Sequence, residues 1–123
     1  MSTTEAIGTF ICKNIDGDQC VDPTDHFAVD APVVHMMYKT ADLPKAGDVY
    51  VIQWIAEDVG QAAPPNTVIG TVNEPVTDLG FGVKSYQVDS KLTKPTSGWP
   101  VGKYRVEVKL DGTLVTTAHF KVE

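Results

Sequence analysis

The most regular alternation of apolar and polar positions lies near the end of the chain, in residues 98–122. Tyr104, Val106 and Val108 alternate with Arg105, Glu107 and Lys109. This is the period-two signature of a half-buried strand. A turn signal, Asp111-Gly112, follows it. The next run places Leu114, Thr116, Ala118, Phe120 and Val122 on one parity, the better core face. A two-residue turn would pair Val108 with Val115 and Tyr104 with His119, leaving Phe120 and Val122 on the wrong face, because a one-residue slip inverts a strand. A three-residue loop over residues 110–112 instead sets Val108 opposite Leu114 and Tyr104 opposite Ala118. That loop is the expectation, with Gly112 left-handed at the bulge position.

The same rhythm runs, less cleanly, through the rest of the chain. Residues 6–15 read as a first strand around Ile7, Phe10 and Ile11, closed by the turn Asp16-Gly17-Asp18. Residues 21–32 read as an irregular connection with a short edge strand at Phe27 and Val29. Over residues 33–40, Val34, Met36 and Tyr38 share one face and Val33, His35 and Met37 the other, as in a central strand. Residues 49–57 are the strongest strand, with Tyr50, Ile52, Trp54 and Ala56 inward. The opposite face, Val49, Val51, Gln53 and Ile55, is apolar enough to need cover from a loop or a second copy of the chain. A short strand over residues 67–71 is broken by Asn73-Glu74-Pro75. A further strand over residues 81–88 has Phe81 and Val83 out of parity with Tyr86 and Val88, and residues 89–100 form a long corner. About seven strands and no amphipathic helix predict an all-β, two-sheet sandwich forming a single domain.

The segment Pro100-x-Gly102-x-Tyr104-x-Val106-x-Val108, with Phe120-x-Val122 later, resembles the last two strands of immunoglobulin-like and fibronectin type III-like domains. The resemblance implies an immunoglobulin-like sandwich in which Tyr104 bonds back to the preceding corner and Trp54 packs in the core. It also implies an exported prokaryotic domain, periplasmic or at the cell surface. Residues 1–5 form a polar, flexible start without the charged and apolar regions of a signal peptide. The expectation is therefore that the signal is absent from this sequence.

Composition narrows the partners. The 123 residues carry a net charge of −6, and the ten Lys and Arg are scattered. A duplex-binding surface needs them clustered, so nucleic acid is not expected as a partner. No apolar run approaches the ~20 residues of a spanning helix, so membrane insertion is not expected either. The oligomeric expectation is a monomer or a weak dimer through the apolar face of the 49–57 strand.

The candidate chemistry is sparse. Cys12 and Cys20 admit a disulfide, two free buried thiols or a metal site, and an exported setting favours the disulfide. Asp16, Asp18, Asp22 and Asp25 form an acidic loop of the kind calcium uses, though they miss the EF-hand spacing and Asp also favours turns. His35, Met37 and His119 are the residue types of a soft-metal site. The tail is similar to that of periplasmic copper carriers of immunoglobulin-like fold, but Thr113 stands where they have His. Trp99, Tyr86 and Tyr50 are the candidate platform for a small ligand or carbohydrate. None of the serines sits in a nucleophile elbow and no carboxylate pair is marked out, so no catalytic residue and no cofactor are expected. The leading functional expectation is a non-catalytic accessory or protein-interaction domain. A ligand- or carbohydrate-binding module and a calcium- or copper-binding module are the alternatives.

Overall fold

The computed structural model describes residues 7–123, so the expected flexible start at residues 1–5 lies outside the described residues. The strands are β1 (Gly8–Asp16), β2 (Gln19–Pro23), β3 (His26–Phe27), β4 (Val33–Thr40), β5 (Val49–Asp58), β6 (Thr67–Pro75), β7 (Tyr86–Thr93), β8 (Gly102–Leu110) and β9 (Thr113–Val122). They form two sheets, ordered β2-β1-β4-β7 and β3-β9-β8-β5-β6. All pairings are antiparallel except β3 on β9. The protein is an all-β sandwich. The count exceeds the expected seven because β2 and β3 are short strands within a stretch that reads as largely irregular.

The core is the set of inward parities facing each other. Tyr50, Ile52, Trp54 and Ala56 on β5 lie beside Tyr104, Val106 and Val108 on β8, with Ala118, Phe120 and Val122 on β9. Ile11, Val34, Met36 and Val88 face them from the other sheet. Phe120 is the hub, stacked on Tyr104 at 5.1 Å and met edge-on by Trp54 and Phe27 at 6.0 and 5.7 Å. Trp54 crosses between the sheets, its Nε1–H donating to the buried Ser90 Oγ at 3.0 Å.

The closing hairpin corrects the expected register. Its turn has two residues, Asp111 and Gly112, both at positive φ (49° and 87°). That pair of dihedrals matches the right-handed twist of the flanking strands. Lys109 pairs with Leu114, and a bulge then leaves Val115 unpaired, so Val108 faces Thr116 and Tyr104 faces Phe120. The extra residue needed to align the apolar parities sits in a bulge rather than in the loop. Leu114, expected in the core, is exposed.

Two other boundaries move. β6 continues through Pro75, which an edge strand tolerates. The expected strand over residues 81–88 is instead loop as far as residue 85, because Gly80 and Gly82 take φ of 78° and 75° on either side of Phe81. Strand β7 starts at Tyr86, and Tyr86, Val88, Ser90 and Leu92 then share the core parity that the shifted reading could not reconcile.

The β1–β2 hairpin bends over the outer side of its own sheet. Lys39 and Gln87, paired across β4 and β7, donate to the carbonyls of Asp18 and Gly17, each at 3.1 Å. The Cys12–Cys20 disulfide fastens this flap, with Cα atoms 5.7 Å apart. Cys12 and Met37 alternate away from the core yet are buried, and the flap lies on that side.

Candidate interaction surface

One end of the sandwich gathers the loop of residues 41–48, the loop of residues 76–85 and the Asp111–Gly112 turn. The strand register requires it: Thr40 pairs with Tyr86, Tyr50 with both Glu74 and Leu110, and Gly8 with Lys39. The loops are bonded into one frame. Gly47 N–H donates to Val76 O at 2.9 Å and Val76 N–H to Asp48 O at 2.8 Å. Asp111 N–H donates to Val49 O at 3.0 Å, and the Asp111 carboxylate accepts from Val49 N–H at 2.9 Å. Asp48 accepts from Lys45 N–H at 2.8 Å, and this backbone bond, with a smaller contribution from Asp111, holds its carboxyl below the usual range.

The floor of this end is aromatic. Tyr50 and Tyr86 stack at 5.7 Å, and Tyr38 meets Tyr50 edge-on at 6.2 Å. Burial, chiefly, pushes the Tyr50 phenol up to about 12. The rim is apolar and open: Phe81 is fully exposed at 107%, and Ile7, Leu43, Leu114 and Val115 are also exposed. Scattered apolar residues on a surface are ordinary. A fully exposed Phe on a loop of this hydrogen-bonded frame makes this end the candidate contact surface.

The other sequence candidates do not assemble into sites. Trp99 sits at the opposite end from Tyr50 and Tyr86, buried at 3% exposure. Its Nε1–H donates to Ala31 O at 2.8 Å, and its ring meets Tyr104 edge-on at 5.8 Å. It is a lid on the core, so the proposed aromatic platform is split between the two ends. Tyr50 is likewise buried.

His35 and Met37 lie on the outer side of the first sheet, whereas His119 lies on the outer side of the second, across from Arg105. A core about 10 Å thick separates those two sides, so the three cannot share an ion. Asp16 ends β1, Asp18 is in the turn, Asp22 is on β2 at φ 54°, and Asp25 pairs with His26 before β3. Among the described residues no three His, Cys, Asp or Glu side chains converge as a metal-binding group.

One cluster was legible in the sequence only in part. On the outer side of the second sheet, Arg105 donates to Glu107 at 2.9 Å, Glu57 at 3.1 Å and Asn66 at 2.7 Å. The bonds to Glu107, first, and to Glu57 raise the guanidinium pKa further. Arg105 stands opposite Ile55, which is only 4% exposed, so the apolar face of β5 is partly covered from within the chain. Only the Arg105–Glu107 alternation was readable beforehand. Glu57 and Asn66 arrive from 48 and 39 residues away in sequence. No protein-family model matches the chain, and neither does any curated protein.

Proposed function

We propose that the chain is an immunoglobulin-like domain of an exported protein that binds a protein partner through its loop end and catalyses no reaction. The fold assignment is supported by the strand order. β4, β5, β8 and β9 stand where the B, C, F and G strands of that fold stand, and β3 runs parallel to the last strand. It is also supported by the Tyr104 hydroxyl, which donates to Pro100 O at the corner entering β8, and by Trp54 in the core on β5. Export is supported by the Cys12–Cys20 disulfide, which persists in oxidising compartments. Among the described residues, no helix is long and apolar enough to cross a membrane.

The observation that carries the interaction reading is Phe81, wholly exposed between two left-handed glycines at an end that also exposes Leu43, Leu114 and Val115. Large apolar anchors of this kind dominate protein–protein binding energy. The carbohydrate alternative draws no support from Trp99 and Tyr50, whose rings are buried in packing.

A photo-crosslinking side chain at Phe81, and a control at Thr117 on an outer sheet face, test the reading in cells that make the protein. A discrete adduct from the first position alone is expected. Adducts from Thr117 and none from Phe81 would move the interface off the loop end. In vitro, Phe81→Ser weakens partner binding about tenfold or more, while stability stays within ~0.5 kcal/mol because the side chain is exposed.

A further inference from the structure

A second surface runs along one edge of the second sheet. Strand β6 pairs only with β5 among the described residues, so one side of this nine-residue strand is an open edge. Thr67 to Asn73 carry no charge, and Val68 and Ile69 are exposed. Edge strands are usually blunted by Lys or inward-pointing charges, and this one ends only in Glu74-Pro75. At its start a bulge leaves Ile69 unpaired between Val68 and Gly70. A bulge re-aims a side chain, and Ile69 lines a cavity of about 250 Å³ with Val59, Leu92, Pro95 and Trp99, where β6 parts from β7. No charged residue lines it.

We propose that β6 docks an extended polypeptide segment as an added antiparallel strand, with one large apolar side chain seated in this cavity. The charges select the rest of the segment. Gly70 and Glu74 pair with the inward residues Trp54 and Tyr50 and so share one side of β6, four residues apart. In an antiparallel partner the residue opposite Glu74 comes four positions before the one opposite Gly70. The segment therefore carries a basic residue four positions ahead of its apolar anchor. A second copy of the chain does not fit. A two-fold pairing along β6 centres on Thr71 and sets Val68, not a cation, opposite Glu74, between molecules that each carry −6. Backbone pairing supplies affinity and the cavity supplies specificity, as in other strand-addition complexes.

The test uses the whole chain, ¹⁵N-labelled, and the synthetic peptide acetyl-Thr-Lys-Val-Thr-Val-Leu-Thr-Thr-amide. Saturable shifts and slowed hydrogen exchange are expected in the Thr67–Pro75 amides. Replacing the peptide's Leu by Gly, or Ile69→Lys in the protein, weakens binding roughly tenfold or more. Glu74→Lys weakens the same peptide and restores binding to one with Glu in place of its Lys. That substitution is on an exposed side chain and serves if Ile69→Lys fails to fold. Phe81→Ser leaves peptide binding unchanged, which separates this edge from the loop end. No saturable shift at millimolar peptide, shifts confined to other strands, or a dimer that protects β6 without peptide would each overturn the proposal.

Discussion

At the scale of single residues, three positions hold the sandwich in its one packing. Tyr104 is the best placed: its ring stacks on Phe120 while its hydroxyl reaches Pro100 O. Tyr104→Phe keeps the ring and loses the bond, which costs about 1 kcal/mol. The urea midpoint should fall with its slope unchanged, since the surface exposed on unfolding is the same. Trp54→Phe removes the donor to Ser90 and some core volume together, and leaves a buried hydroxyl to find another partner. A cost of about 2–4 kcal/mol is expected in the same measurement. Gly102 is the strictest position. A Cβ there would lie 2.2 Å from Asp58 O and 2.8 Å from Val59 Cα, at a φ of 152° that L residues rarely adopt. Gly102→Ala must shift the β5–β8 crossing and should cost about 3 kcal/mol or more.

At the scale of elements, what was legible followed from alternation, and what was not followed from partners distant in sequence. The inward parities of β5, β8 and the end of β9 could be read directly, because each strand repeats its own choice every two residues, whereas β4 is apolar on both faces and left the choice open. The hairpin register could not. Parity demands one extra residue between Val108 and Phe120, but it does not say whether loop or bulge absorbs it. Asp111 decided that by bonding to Val49, a neighbour supplied by the fold. The stretch around Phe81 failed for a related reason: alternation looked strand-like, while two glycines at positive φ ended the strand. The loop end was invisible as a candidate surface because its frame joins residues 47, 48, 76 and 111. The flap was half legible. Eight residues of separation allowed the disulfide, and only the fold showed the hairpin laid over Lys39 and Gln87. Cys12→Ser with Cys20→Ser should therefore destabilise the domain by about 2–3 kcal/mol through the reopened loop. Fast hydrogen exchange should appear first in β2 and in the β1 residues beyond Cys12, before the rest of the sheet. Uniform exchange across the first sheet would mean that the hairpin is integral to the core and not a flap.

At the scale of the whole molecule, ionisation at the two ends and on one outer face sets the pH range of stability. Tyr50 and Tyr104 are both pushed up to about 12 by burial, from an ordinary 10.0. A folded pKa above the unfolded one means that the native state holds its proton more tightly. That contribution is complete below pH 10 and is lost as pH rises toward 12. His35 works in the other direction. Half-buried on the outer side of β4 and facing Lys91, its imidazole is held below the ordinary 6.5, with Asp89 opposing more weakly. The unfolded chain takes up that proton first, so stability starts to fall as pH drops through 6.5 and goes on falling until the folded imidazole is also charged. The slope from one group is at most about 1.4 kcal/mol per pH unit. Asp48, held low by Lys45, adds a second loss below its ordinary 3.8. Melting temperature against pH should therefore show a plateau between about 6.5 and 10, with one limb on each side. His35→Gln should flatten the start of the acid limb and leave the alkaline limb untouched. Tyr104→Phe should make the alkaline limb shallower without removing it, since Tyr50 remains. If His35→Gln leaves the acid limb unchanged, the limb belongs to carboxylates alone, and the outer side of β4 plays no part in the acid stability of the domain.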